Sequence, residues 1–129
     1  MTVFFLADPK SKAKKLLLRV LDMIVPQDKI TLVEDITALE SQLRRQLYGD
    51  LMVLLLPADE NELSSIIGLK ELFGDMPIIL ILPDRGKETT ALGYKLRPRF
   101  ITYSDSNFLD VATVLIKMKN KMETRKDFI

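Results

Sequence analysis

Five short apolar runs, Val3 to Ala7, Ile30 to Val33, Leu51 to Leu56, Ile78 to Leu82 and Phe100 to Tyr103, alternate with longer segments in which apolar residues recur every three or four positions. The runs have strand length and the segments between them have helical period. Their alternation predicts parallel strands joined by crossover helices. The runs from Leu51 and Ile78 are unbroken aliphatic, as expected of central strands covered on both faces. Those at Ile30 and Phe100 are shorter and carry a threonine, so they read as sheet edges.

The first helical segment places Ala13, Leu16, Leu17, Val20, Leu21 and Ile24 on one apolar stripe and ends before Pro26. The second opens with Thr37 and Glu40 at capping-box spacing and continues through Leu39, Leu43 and Leu47 to a turn at Gly49. The third carries Leu63, Ile66, Ile67, Leu69, Leu72 and Phe73 as one helix before Gly74, whose missing Cβ suits a left-handed terminus. From Lys87 to Leu96 only Ala91, Leu92 and Leu96 suggest a stripe, with Gly93 inside it. The last helix buries Phe108, Leu109, Ala112, Leu115 and Ile116, and its polar end from Lys119 is expected to fray.

Composition narrows the chemistry more than it names it. The 129 residues, 47% hydrophobic and 29% charged, suit one globular domain spanning the whole chain, 1–129. Cysteine and histidine are both absent, which excludes disulfides, thiolate catalysis, imidazole bases and nearly all transition-metal sites. Carboxylate chemistry with hard cations such as magnesium remains. A net charge of +1 exerts no overall pull on nucleic acid or anionic membrane. The apolar start, Val3 to Ala7, is too short and lacks the basic lead of a signal peptide. No apolar stretch approaches the roughly 20 residues of a membrane span. A cytoplasmic protein is expected.

Local phrases add to the pattern: Ala7-Asp8-Pro9 after the first strand, Gly49-Asp50-Leu51-Met52-Val53-Leu54 into the third, and Met76-Pro77-Ile78-Ile79-Leu80-Ile81 through the fourth. Together with five β-α units at this length, the chain resembles the receiver domain of two-component response regulators over almost its whole extent. The resemblance implies an α/β, flavodoxin-like fold: a five-stranded parallel sheet of order 2-1-3-4-5 with helices on both faces.

A receiver takes phosphate on an aspartate ending the third strand, with magnesium held by an acidic pair after the first. A hydroxyl after the fourth strand and a lysine after the fifth bind the phosphoryl group. Laid on this pattern, Leu55 falls at the phosphoacceptor, Leu6 and Ala7 at the acidic pair, Leu82 at the hydroxyl and Tyr103 at the lysine. The resemblance therefore implies a pseudo-receiver, in which the fold persists without the switch chemistry.

Several features invite a functional reading beside a plain one. Acidic residues Asp8, Asp35, Asp59, Asp84 and Asp105 follow the five strands. Aspartate is a favoured helix N-cap, and a rebuilt magnesium or small-ligand site using Asp8 and Asp59, with Asp84 nearby, is the alternative. Gly86-Lys87-Glu88 lacks the leading glycine and the hydroxyl of a phosphate loop. Lys10, Lys12, Lys14, Lys15 and Arg19 make the first helix basic, and Lys117, Lys119, Lys121, Arg125 and Lys126 the last. No aromatic residues interleave for base stacking, so solvated faces are expected rather than nucleic-acid contacts. Tyr94, Tyr103 and Phe108 surround the face that receivers commonly use to meet partners, and are either an interface or packing.

The expected function is a phosphorylation-independent protein-interaction module in bacterial signalling, not an enzyme and without a cofactor. Its partner would be a protein, with a homodimer among the options and no membrane contact. The alternative is a regulator that binds magnesium or a small ligand at the acidic rim.

Overall fold

The computed structural model describes residues 1–45 and 49–127. Five strands, β1 (Thr2–Ala7), β2 (Ile30–Val33), β3 (Leu51–Leu56), β4 (Ile78–Leu82) and β5 (Phe100–Tyr103), form one sheet of order β2-β1-β3-β4-β5. All four pairings are parallel, and the two short threonine-containing strands lie at the edges. Six helices are found among the described residues: α1 (Lys12–Ile24), α2 (Ile36–Arg44), α3 (Glu60–Ile67), α4 (Lys70–Phe73), α5 (Lys87–Tyr94) and α6 (Leu109–Asp127). A single 3-10 turn, Gln27–Lys29, leads into β2. This is the α/β, flavodoxin-like arrangement expected from the sequence.

Alternation along the strands divides the core in two, because successive side chains point to opposite faces. Val3, Phe5 and Ala7 of β1 join Met52, Leu54 and Leu56 of β3 beneath α1 and α6, around Leu17, Leu21, Phe108, Val111 and Leu115. Phe4, Leu6, Val53, Leu55, Leu80 and Leu82 face the other way, against Leu39 of α2, Leu63 and Ile66 of α3, Phe73 of α4 and Leu96. The central strands therefore need apolar residues at every position.

The helices differ from the sequence expectation in instructive ways. Asp35 caps α2, its carboxylate accepting from the Ala38 amide at 2.8 Å, so Thr37 and Glu40 form no capping box. Glu40 instead pairs with Arg44 one turn on. Leu47, expected to continue this helix, lies outside the described residues. The expected third helix is interrupted at Gly68, where α3 ends and α4 begins two residues later. The buried residues of α5 are Thr89 and Gly93, whereas Ala91 is exposed. A Cβ on Gly93 would meet Leu80 Cδ2 at 3.0 Å and Leu82 Cδ2 at 3.1 Å, so this glycine lets α5 settle directly on β4. Leu16, Leu109 and Ile116, expected in the core, are 41%, 67% and 47% exposed. Where fraying was expected from Lys119, α6 continues to Asp127, with Met122 buried and Lys119 Nζ donating to the Ile24 carbonyl at 2.8 Å.

Candidate functional site

In a parallel α/β sheet the carboxyl ends of the strands form the usual ligand-binding rim. Here each of the five aspartates after the strands has a local partner. Asp8 accepts from the Lys10 amide at 2.9 Å beside Ser11, the N-cap of α1. Asp35 and Asp59 cap α2 and α3, each accepting at 2.8 Å, and Asp84 accepts from the Gly86 amide at 2.8 Å. Asp105 binds Arg85 through two hydrogen bonds, at 2.9 and 3.2 Å, and the guanidinium lies 4.2 Å over the Tyr103 ring. That pairing holds the Asp105 carboxyl below its ordinary range.

Glu62 completes a box around the start of α3: its amide donates to Asp59, and its carboxylate accepts from the Ala58 amide at 3.1 Å. Partial burial pushes the Glu62 carboxyl up; the Ala58 bond opposes this, and the charges of Asp59, Asp8 and Asp35 add to it. Among the described residues, no group of three or more histidine, cysteine, aspartate or glutamate side chains is placed to hold a metal ion.

The residues that fall at the receiver's phosphate-site positions in the expected alignment are packed into the core rather than placed on a cavity at the rim. Leu6, Leu55 and Leu82 have no exposure and pack in one cluster, with Leu6 opposite Leu55 in the β1–β3 register. Ala7 is buried in the other core layer. Tyr103, half-buried, is the register partner of Leu82. A cavity of about 250 Å³ does sit at the rim, lined among others by Asp8, Lys10, Ser11, Pro57, Pro83 and Ser104. Pro57 and Pro83, directly after β3 and β4, have no amide hydrogen to offer an anion. Sequence spacing singles out neither proline nor Ser104 as part of a site, because only the fold brings these loops together. Two larger cavities, about 360 and 430 Å³, lie at the opposite end of the sheet around Asp75, Met76, Pro77 and Arg99.

The three aromatic residues expected at a partner face differ in exposure. Tyr94 is 65% exposed at the end of α5, and Tyr103 is half-buried, with the Arg85 guanidinium over its ring. Phe108 is fully buried in the layer beneath α1 and α6 and does not belong to that face. Its backbone has a positive φ of 64°, a conformation unfavourable for a bulky residue, sustained here by complete burial of the ring. Behind it, Asp110 accepts from Thr102 at 2.8 Å and from Ser106 at 3.3 Å, tying β5 to α6. No helix among the described residues is long and apolar enough to cross a membrane. Searches against protein-family models, curated proteins and solved structures found no match.

Proposed function

We propose that this chain is a receiver-like protein-interaction module that works without phosphorylation, of the kind used in bacterial signalling, in the cytoplasm. The observation that carries the reading is the burial of Leu6, Leu55 and Leu82 in one apolar cluster. A phosphate switch needs carboxylates and a hydroxyl at these positions, reaching the rim. Pro57 and Pro83 add to this by removing backbone donors from the loops above. Recognition then falls to the outer surface, and the flank of α5 and β5 offers Tyr94 and the Arg85–Tyr103–Asp105 group, residue types favoured in protein interfaces.

The test is an amide NMR titration with magnesium and then beryllofluoride, which mimics an aspartyl phosphate. The expected result is an unchanged spectrum at Asp8, Ala58, Asp84 and Ser104. Saturable shifts clustered there would replace this proposal with the alternative, a magnesium or small-ligand regulator built on the acidic rim.

A further inference from the structure

The two edges of the sheet are unlike. β5 follows Pro98, which has no amide to offer, and its residues are buried or half-buried, with the Thr102 hydroxyl held by Asp110. β2 carries Leu32, which is 48% exposed. An apolar side chain left in water on an unpaired strand is what natural sheets ordinarily avoid.

The register shows which backbone groups this edge presents. The Thr2 amide donates to the Asp50 carbonyl, so even-numbered residues of β1 turn their backbone toward β3 and odd-numbered ones toward β2. Phe5 stands opposite Leu32, and in a parallel ladder its bonds run to the residues on either side, Thr31 and Val33. The N–H and C=O of Leu32 therefore point away from the sheet, as does the Ile30 carbonyl. The Ile30 amide is taken by the Gln27 carbonyl of the 3-10 turn. Leu32 and Ile30 also share a side-chain face, where with Leu18 of α1 they line a cavity of about 170 Å³.

Around this edge the chain is complementary to itself. From Lys29 to Asp35 it reads Lys-Ile-Thr-Leu-Val-Glu-Asp, with a cation at one end, acids at the other and Leu32 at the centre. Two copies of β2 laid antiparallel about a two-fold axis must keep their faces matched, so the axis passes through a residue rather than between two. With the axis at Leu32, the Leu32 residues of the two copies exchange N–H···O bonds, each Ile30 carbonyl receives the Glu34 amide of the other copy, and Thr31 lies opposite Val33. Lys29 then comes to the end where Asp35 of the other copy lies. Both residues are exposed, and neither forms an ion pair among the described residues. With the axis at Thr31, Asp28 would instead oppose Glu34, so charge selects the register centred on Leu32. On α1, Leu18 is level with Leu32, and Lys15 and Asp22 stand about one turn away on either side. The same axis sets Lys15 of one copy toward Asp22 of the other rather than like against like.

We infer that two copies of this chain pair through β2, edge to edge and antiparallel, into one continuous sheet. Leu32 of each copy then lies against Leu32 of the other beside the cavity and leaves water. An extended segment of another protein would find the same backbone groups, but opposite charges at matched distances from Leu32 are a feature that a second copy uses twice. The paired edges are short, so the dimer is weak, with a dissociation constant on the order of 100 μM. The contact lies across the sheet from Tyr103 and leaves that flank open, and it does not depend on the receiver-like reading.

The test uses the full chain from about 20 μM to about 1 mM, by sedimentation equilibrium and amide NMR with hydrogen exchange. A monomer–dimer equilibrium is expected, closing at two because each edge is then covered. Shifts should be confined to residues 28–36 and the flank of α1 around Leu18, and the Leu32 and Glu34 amides should gain protection only as concentration rises. Leu32→Lys sets two cations on the axis and should weaken association about tenfold or more. Lys29→Asp should weaken it about fivefold, with unfolding midpoints at about 20 μM unchanged for both variants. The inference is overturned if the chain is monomeric at about 1 mM, if Leu32→Lys leaves the dimer unchanged, if the concentration-dependent shifts fall at Tyr94 and Tyr103 or on α6, or if association runs on past the dimer. The beryllofluoride titration bears on the phosphate site alone, so either reading can fail without the other.

Discussion

Replacing Leu55 with aspartate supplies the residue that the proposed receiver-like reading finds missing, but it sets the new carboxylate in the middle of the apolar core. Leu55 has no exposure, lies between Leu6 and Leu80 in the sheet register, and belongs to the cluster containing Leu63 and Ile66. Truncation to alanine at such a site costs about 2–5 kcal/mol through lost burial and the cavity left behind. Aspartate loses the same contacts and adds an unpaired carboxylate among leucines, another several kcal/mol. The sum for Leu55→Asp is about 5 kcal/mol or more, comparable with the whole folding free energy of a typical domain, ~5–15 kcal/mol. Urea unfolding followed by circular dichroism should show Leu55→Ala folded with a lowered midpoint and an unchanged slope. Leu55→Asp should be largely unfolded without urea, and should not respond to beryllofluoride. A Leu55→Asp protein within about 1 kcal/mol of the parent would refute the reasoning, because the side chain at 55 would then reach water at the rim.

Further expectations bear on the rim and the helices. Asp59→Ala removes the cap of α3 and should cost about 1 kcal/mol in urea unfolding; saturable stabilisation of the parent, but not the variant, by magnesium would instead mark Asp59 as a ligand. Gly93→Ala sets a gain in helix propensity of about 1 kcal/mol against crowding with Leu80 and Leu82 costing about 1–3 kcal/mol, so net destabilisation near 1 kcal/mol is expected; a stabilised variant would show that α5 can lift from β4. Because the Glu62 carboxyl is raised, the folded state holds its proton more tightly than the unfolded one. Its contribution is therefore most favourable below the ordinary glutamate range and declines as pH rises through that range. Glu62→Gln keeps an acceptor for the Ala58 amide and removes this penalty. It should be neutral or stabilising by at most about 0.5 kcal/mol at pH 7, with the difference vanishing below about pH 4. A variant clearly less stable at pH 7 would show that the charge itself holds the cap.

The sheet was legible because burial on both faces leaves a signature that tertiary context cannot easily alter: Leu51–Leu56 and Ile78–Leu82 have no polar position to give. Helix ends were less legible, since competing caps stand close together. Asp35 and Thr37 both precede an apolar stripe, and only the geometry of the incoming chain selects Asp35. The stripe from Leu63 to Phe73 keeps its period across Gly68, so nothing in the spacing marks the break. In the sequence Phe108 reads as an aromatic near a surface, whereas its position at the corner before α6 sends the ring inward. The exposure of apolar residues on α1 and α6 was hidden by the same rule that found the helices. Leu16, Leu109 and Ile116 obey the three-four spacing of core residues, and only the placement of α1 against α6 separates flank from base.

The burial of Leu6, Leu55 and Leu82 bears on where recognition can lie. A phosphate switch holds several polar groups at the strand ends, where each buried one must find a partner in both states. Leu6, Leu55 and Leu82 instead form a close-packed apolar layer near that end of the sheet. If such a domain is to discriminate among partners, the information must lie in side chains whose exposure the fold itself does not require. Met23 and Leu109 meet that description: each is on a helix already anchored by buried neighbours, Leu21 and Val111, and each would be more soluble as a polar residue.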